Sequence, residues 1–137
     1  MLVAAVSLLL HVTGPANGVT TSNCFLRLRA HLTGGGSMVY CLKTFRGAPG
    51  PGATVHDSGT LLFVLPRGSI RARVSIVQRF GSDGMHATQT LTGTLTGGTG
   101  NYKGARGTLR GGGTDVETAP GRITASNLRY RVTLRAG

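Results

Sequence analysis

The sequence predicts an all-β protein: a single antiparallel, up-and-down β-barrel of about eight strands. Three observations support this prediction. Apolar and polar residues alternate with a period of two along most of the chain. Turns rich in Gly, Pro and Asp separate these stretches at intervals of roughly 8–14 residues. Beyond the N-terminal apolar run, no stretch carries an apolar stripe at helical spacing. One amphipathic antiparallel sheet of this length must close or double over to bury its apolar face, and closure also removes its exposed edges.

Seven strands are predicted from the alternation, and the fourth is the clearest. In that strand, apolar side chains share one face with Gln78, and Arg71, Arg73 and Arg79 share the other face with Val77. An eighth strand would come from residues 18–23 or 52–57. About eight strands leave an interior that side chains fill, or that holds one small ligand. The seven strands are residues 25–32, 38–45, 60–65, 69–80, 86–96, 106–113 and 123–134.

Length and composition limit the class of protein. The 137 residues (14.1 kDa) fit one compact domain and exclude a large multidomain enzyme. The 23 glycines have no three-residue period, so collagen is excluded, and heptads typical of a coiled coil are absent. A moderate hydrophobic fraction of 39% is enough for a small core.

The N-terminal residues are predicted to be an export signal. Residues 2–10 (LVAAVSLLL) are an apolar run too short to span a bilayer, which takes about 20 residues. Ala16 and Gly18 are spaced like the −3 and −1 positions of a cleavage site, although the usual basic n-region is missing. The alternative is a buried first strand or helix. We therefore expect a signal peptide over residues 1–18, a barrel domain over residues 19–137, a secreted or extracytoplasmic location and no transmembrane span.

The two cysteines agree with export. Cys24 and Cys41 flank residues 33–37 (TGGGS), which are typical of a hairpin turn. Folding about that turn brings positions 24 and 41 together, so a disulfide is expected in an oxidising compartment, with two buried free thiols as the alternative. Two cysteines do not make a zinc site, and the four histidines are scattered, so no metal is expected.

The charge is strongly unbalanced. Fifteen Lys and Arg face four acids, which gives a net charge of +11. The arginines alternate with apolar residues on the strands and should therefore face outward. Such a surface favours an anionic partner, namely a polysaccharide or the cell envelope. Nucleic acid is disfavoured because aromatic stacking residues are few. The sequence allows a homo-oligomer, although an arginine-dense face would repel itself across a symmetric interface.

One motif is specific. Residues 97–107 read GGTGNYKGARG, which resembles the glycine-rich signature of the dirigent and allene oxide cyclase barrel superfamily. The strands on either side also look like that superfamily over roughly residues 60–134, and the paired cysteines look most like its small exported bacterial members. We expect the glycines to shape a tight reversal, Tyr102 to pack under it, and Arg106 to bind turn carbonyls or reach a barrel mouth. The glycines are Gly97, Gly98, Gly100, Gly104 and Gly107.

Other chemical signals are weak. Asp57-Ser58-Gly59 matches one loop of the aspartic protease pattern, but that site needs two such loops, so a turn is the favoured interpretation. No GxSxG elbow occurs, no carboxylate pair close in sequence is expected to form an acid–base site, and four acids leave few candidates for such chemistry. The glycine motif lacks the strand-to-helix setting of a dinucleotide loop. We therefore expect no cofactor.

Three hypotheses for function follow, the first two from the resemblance and the third from the excess of positive charge. The first is a binding barrel that accepts one small apolar or phenolic ligand without catalysis of its own, as dirigent proteins orient phenoxy radicals for coupling. The second is a cofactor-independent cyclase or isomerase of the allene oxide cyclase type, which needs a polar group inside an apolar barrel. The third is a basic, non-catalytic protein that binds anionic envelope polymer. The candidate ligand-binding residues are Gln78, Gln89, Tyr102 and Arg106.

Overall fold

The structure is a computed structural model, and residues 6–135 are described. Within this range the chain forms nine β-strands and one short 3₁₀ turn (Gly100–Tyr102), with no α-helix, so the all-β prediction is confirmed. No helix among these residues is long and apolar enough to cross a membrane. The strands are β1 (Val6–Thr13), β2 (Ala16–Val19), β3 (Leu26–His31), β4 (Ser37–Arg46), β5 (Thr54–Leu65), β6 (Gly68–Phe80), β7 (His86–Gly98), β8 (Gly107–Ala119) and β9 (Arg122–Leu134).

Eight of these strands form a closed antiparallel barrel. Each strand from β2 to β9 pairs with the next in chain order, and β9 also pairs with β2, which completes the ring. The ninth strand, β1, lies outside the ring and pairs with β9 on the same edge as β2. Gly14 and Pro15 separate β1 from β2. The predicted up-and-down barrel of about eight strands is therefore confirmed.

Strand β1 overlaps the apolar run predicted to be the core of a signal peptide. Residues 1–5 lie outside the described part of the chain. From Val6 to Thr13, every residue of β1 pairs with β9, and Val12 is almost completely buried. Cleavage after Gly18 would cut within β2 and remove β1 from the sheet. The export signal and its cleavage site stay predictions.

The period-two alternation defines the two faces of the barrel wall. In β6, Ile70, Ala72, Val74 and Ile76 are buried, whereas Arg71, Arg73 and Arg79 are exposed. All fifteen Lys and Arg of the chain are exposed. The expected outward direction of the arginines is therefore correct, and the barrel interior contains none of them.

Two strands are longer than the alternation predicted. β5 begins at Thr54 instead of residue 60, so residues 52–57 largely extend β5 and do not form a separate strand. The turn predicted at Asp57-Ser58-Gly59 is wrong, because Asp57 pairs with Ile76 of β6. Only glycine fits at position 59 of this strand, because a Cβ there would overlap the backbone carbonyl oxygen of Cys41.

β8 is the second such strand. It continues past Gly113 to Ala119, with register shifts near Glu117. The alternation alone predicts that this strand ends at Gly113, in the run of three glycines before Thr114. Pairing with β9 on one side and β7 on the other keeps this segment extended.

The disulfide prediction is confirmed. Cys24 and Cys41 are bonded, with their Cα atoms 5.2 Å apart. Cys41 lies in β4, and Cys24 lies in the segment that leads into β3. The bond, together with a hydrogen bond of 2.6 Å from Nζ of Lys43 to the carbonyl of Asn23, anchors this segment to the wall of the barrel.

The glycine-rich segment connects β7 to β8 at one end of the barrel. Gly100 and Gly104 have φ values of 61° and 75°, the left-handed region that favours glycine. Gly98 and Gly107 lie directly against backbone carbonyls, which leaves no room for a Cβ. Gly97 is the penultimate residue of β7. In the structure these glycines shape the reversal.

The two ends of the barrel interior differ. At the end that carries the glycine-rich segment, apolar side chains fill the interior completely: Phe63, Ile70, Leu95, Leu109 and Val132. At the opposite end, where β5, β7 and β9 begin, the interior contains polar side chains. We call this second end the mouth.

Candidate binding site at the barrel mouth

A cavity of about 450 Å³ lies inside the mouth. Leu26, Leu28, Leu42 and Ile76 contribute to its wall, and two phenylalanines lie at its rim. The volume is within the usual range for small-molecule sites, about 300–1,000 Å³. We call this space the mouth cavity.

The rim of the mouth cavity is aromatic and exposed. The rings of Phe25 and Phe45 lie with their centroids 4.7 Å apart, and both side chains are exposed. Phe25 follows Cys24, so the disulfide positions one half of this pair. An exposed aromatic pair beside a cavity supplies apolar contact area for a bound molecule.

Three of the four acidic residues of the chain face the interior near the mouth. Asp57 comes from β5, and Asp115 and Glu117 come from β8. Asp115 is 2% exposed and Glu117 is 8% exposed, whereas Asp57 is half-buried. The mouth cavity is lined by Asp57 and Glu117, and within residues 6–135 its lining contains no Lys, Arg or His. The charges are thus separated, with the cations outside and most carboxyls inside.

Two glutamines make hydrogen bonds across the barrel interior, and one of them reaches a carboxyl. Nε2 of Gln78 on β6 donates a hydrogen bond of 3.3 Å to Oδ2 of Asp115 on β8. The hydroxyl of Tyr130 on β9 donates a hydrogen bond of 2.6 Å to Oε1 of Gln89 on β7. Each bond joins strands that are not neighbours: the first joins β6 to β8, and the second joins β7 to β9.

The Tyr40 hydroxyl is buried without a partner. Tyr40 is 4% exposed and lines the mouth cavity, and its hydroxyl makes no hydrogen bond with any described residue. Its ring lies beside Gly59, two residues from Asp57 on the inward face of β5. Oδ1 of Asp115 and Oε2 of Glu117 are also buried without a partner in the described chain. Such groups usually find a hydrogen-bond partner, so their presence here requires an explanation.

Burial changes the acidity of the whole cluster. Burial, together with the nearby charge of Glu117, raises the pKa of Asp57 and of Asp115 to about 6. The hydrogen bond from Gln78 partly opposes the rise at Asp115. Burial also raises the pKa of Glu117, which the N–H of Gly121 opposes by donating to Oε1. Carboxyls with such values exchange protons near neutral pH.

The structure separates the four predicted ligand-binding residues into two groups. Gln78 and Gln89 both line the mouth cavity. Tyr102 and Arg106 lie at the opposite end, in the glycine-rich segment. Tyr102 packs against the apolar core there, and Nη1 of Arg106 donates to the carbonyls of Thr96 and Ala105 at 3.0 and 2.9 Å. Of the two roles expected for Arg106, the contacts match the binding of turn carbonyls.

Tyr40 and the three carboxyls were not predicted from the sequence. The signal was present for Asp115 and Glu117, which are two residues apart and therefore share a face if β8 is extended through them. Because the predicted strand ends at Gly113, the sequence did not predict that these two carboxyls share a face. Asp57 was not predicted either, because a turn, and not a strand, is the favoured prediction for residues 57–59.

The outer wall carries a different surface. A shallow groove across β4 to β8 is lined by Lys43, Arg73 and Arg110 with serine and threonine side chains between them. The hydroxyl residues of β7 contribute Thr92 and Thr94. This groove is basic, polar and open to solvent, and it is separated from the mouth cavity by the barrel wall.

In the part of the chain that the structure describes, no three His, Cys, Asp or Glu side chains converge closely enough to hold a metal ion. The chain matches no protein-family model, no curated protein and no solved structure. Fold and site together define an eight-stranded antiparallel β-barrel with an apolar core at one end and a carboxyl-lined cavity at the other.

Proposed function

We propose that this protein is a binding barrel that takes one small apolar or phenolic ligand in the mouth cavity. The observation that carries the proposal is the cavity itself, since about 450 Å³ of space lies above the apolar core of the barrel. Apolar walls would bury the body of the ligand, and a few polar groups would orient it. The glutamines and Tyr40 supply hydrogen-bond donors and acceptors for a hydroxyl group.

The resemblance of residues 97–107 to the dirigent and allene oxide cyclase signature supports the same proposal. A dirigent-like protein would bind a phenoxy radical and set its orientation, while another agent performs the oxidation. The residues of the glycine-rich segment would act on the shape of the barrel and not on the ligand. We propose this membership of the superfamily on the motif and the barrel together.

Export is part of the proposal. A disulfide in a small domain is typical of oxidising compartments outside the cytoplasm. The bond between Cys24 and Cys41 also stabilises the segment that carries Phe25, so the rim of the site depends on that environment.

Calorimetric titration tests the proposal. With 4-propylphenol as the probe, we expect one binding site per chain. Phe45→Ala removes part of the rim and should weaken binding by about fivefold to tenfold, the effect of losing one large apolar contact. Val64→Ala is the matched control, because Val64 and Phe45 are both 43% exposed and Val64 does not line the cavity. Equal affinities for the two variants would contradict the proposed location.

A second candidate function is a cofactor-independent cyclase or isomerase. The observation that favours it is the position of Asp57 in the wall of an otherwise largely apolar cavity. Burial there raises its pKa to about 6, so it can act as acid or base at neutral pH. The test is the rate at which an unsaturated epoxide closes to a ring, and the enantiomeric excess of the product. Catalysis predicts a rate that depends on protein concentration and falls in Asp57→Asn. A binding barrel predicts no acceleration.

A dirigent role predicts a third outcome when reaction rate and enantiomeric excess are measured together. A phenol would be coupled by an added one-electron oxidant in the presence of the protein. An enantiomeric excess without a change in the oxidation rate would support orientation by the barrel. A racemic product would argue against it.

A further inference from the structure

We propose that the preferred ligand of the mouth cavity is a cation: a small apolar or aromatic molecule that carries a primary or secondary ammonium group. The inference rests on the proposed binding function and specifies its substrate class. It starts from the separation of charge, because Asp57, Asp115 and Glu117 face the interior and all fifteen Lys and Arg are exposed.

The carboxyls have no internal counter-ion. Within the described residues, the titratable groups that face them are Tyr40 from β4 and Tyr130 from β9, and neither can carry a positive charge. A carboxylate that leaves water without a positive partner loses much of its solvation free energy with nothing to replace it. A cationic ligand would supply the missing charge.

The free hydrogen-bonding capacity also fits an ammonium group. Oε2 of Glu117 and the hydroxyl of Tyr40 are buried without partners in the described chain, and both residues line the cavity; Oδ1 of Asp115, which does not line it, is also buried without a partner. An ionised carboxylate only accepts hydrogen bonds, and an ammonium group only donates them, with three N–H bonds when it is primary. Tyr40 is 4% exposed and lines the cavity, so its oxygen is an acceptor positioned at the site independently of the carboxyls.

The shape of the site favours an organic cation over a metal ion. Among residues 6–135 no three ligand-type side chains converge tightly enough for a metal. The mouth cavity instead has a volume of about 450 Å³ and is bounded by Phe25, Phe45 and leucines. Aromatic rings at the rim can also attract a cation through their faces.

The net charge of +11 does not oppose such a ligand at close range. The cations lie on the outer wall, where salt screens their field over about 8 Å at physiological ionic strength. The carboxyls act inside an apolar cavity, where charge interactions are screened much less.

Three probes with one skeleton test the inference: 4-phenylbutylamine, 4-phenylbutan-1-ol and 4-phenylbutyrate, titrated calorimetrically at pH 7.5. We expect the amine to bind at least about tenfold more tightly than the alcohol, and the carboxylate to bind most weakly. Affinity for the amine should rise between pH 5 and pH 7.5, because Asp57 and Asp115 ionise over this range. Affinity for the alcohol should stay constant or fall.

Variants locate the effect. Asp57→Asn and Glu117→Gln should each weaken amine binding by about fivefold to tenfold and change alcohol binding by less than about twofold. Alcohol binding thus also reports that each variant is folded. Asp83→Asn is the control, because Asp83 is an acid on the exposed turn between β6 and β7 and should leave both affinities unchanged.

The outcomes separate the two proposals. Equal affinity for all three probes would leave the binding barrel intact and overturn the preference for a cation. Tightest binding of the carboxylate would overturn it as well. Absence of binding by all three probes would contradict the proposed mouth site, and this inference with it.

Discussion

The side-chain amide of Gln78 donates a hydrogen bond to Oδ2 of Asp115 across the interior of the barrel, at 3.3 Å. The two residues belong to β6 and β8, which are separated by β7. Asp115 is thus neutralised only in part, because an amide supplies a dipole and no charge. Its position makes it the best place to measure the cost of the interior carboxyls.

We expect Asp115→Asn to stabilise the protein at neutral pH. The folded-state pKa of Asp115 is raised to about 6 from 3.8, so the folded state holds its proton more tightly than the unfolded state. The stability contributed by this proton is complete below about pH 4 and is lost as the pH rises through 6. Asparagine keeps the acceptor for Gln78 and removes the charge. In chemical denaturation, the free energy of unfolding of the Asp115→Asn variant should exceed that of the wild type by about 1–3 kcal/mol at pH 7.5 and by little at pH 4.

Asp83→Asn is the matched control and should show the opposite sign. The N–H groups of Met85 and His86 donate to Asp83 and lower its pKa to about 2. Its stabilising effect is therefore present above about pH 4 and lost as the pH falls through 2. A loss of stability in Asp115→Asn at pH 7.5 would contradict the assignment of an uncompensated buried charge.

Loss of the disulfide should destabilise the barrel and loosen the rim. The bond joins residues 17 apart in sequence, and a loop of this size corresponds to about 3 kcal/mol. The double variant Cys24→Ser, Cys41→Ser should lose this amount of unfolding free energy and bind 4-propylphenol more weakly, because Phe25 is no longer anchored. Wild-type protein kept in reductant should behave in the same way. Unchanged stability in both samples would contradict a structural role for the bond.

Gly111→Ala should be strongly destabilising. A Cβ at this position of β8 would overlap the carbonyl of Arg129 and lie 2.7 Å from Cδ1 of Tyr130. The glycine leaves room for the ring that bonds Gln89, so we expect a loss of about 2–3 kcal/mol of unfolding free energy. Gly50→Ala is the control, since nothing lies within 4 Å of its Cβ position and its φ is ordinary. Equal stability of the two variants would show that the barrel relaxes at β8.

Removal of β1 tests the conflict between the export signal and the sheet. Cleavage after Gly18 would remove β1, with eight residue pairs to β9, and most of β2. A chain that starts at Val19 should therefore unfold at lower denaturant concentration than a chain that starts at Val6, and should self-associate through the uncovered edge of β9. Chemical denaturation and light scattering measure both effects. A monomer of equal stability would show that β1 is dispensable, as a cleaved signal requires.

The basic groove on the outer wall gives a prediction for the anionic-polymer hypothesis. Arg73→Gln combined with Arg110→Gln should elute from a heparin column at lower salt than the wild type, because both side chains line this groove. Arg67→Gln combined with Arg135→Gln is the control with equal loss of charge, and neither residue lines the groove. Equal shifts for the two pairs would indicate net charge alone and argue against a specific polymer site.

The alternation along single strands was enough to predict the all-β class, the approximate strand number and the outward arginines. Period two is a local property, and an amphipathic sheet of this length has few ways to bury its apolar face. The turn between Cys24 and Cys41 is also local, so their disulfide was predictable. Gln78 was found because it interrupts an otherwise apolar face, and Gln89 because it lies on the inward face of its strand.

Only the tertiary structure decided which residues meet at the mouth. Strand ends depend on pairing with neighbours, and the pairing of Asp57 with Ile76 and of Glu117 with Ile123 extended β5 and β8 beyond their predicted ends. Closure of the ring then brought Tyr40, Asp57 and Glu117 from three strands to one cavity. Sequence spacing does not encode such a meeting, because it follows from the register and closure of the entire barrel. Tyr102 and Arg106 lie at the far end for a simpler reason, because the glycine-rich segment follows the end of β7 whereas Gln89 lies near the start of that strand.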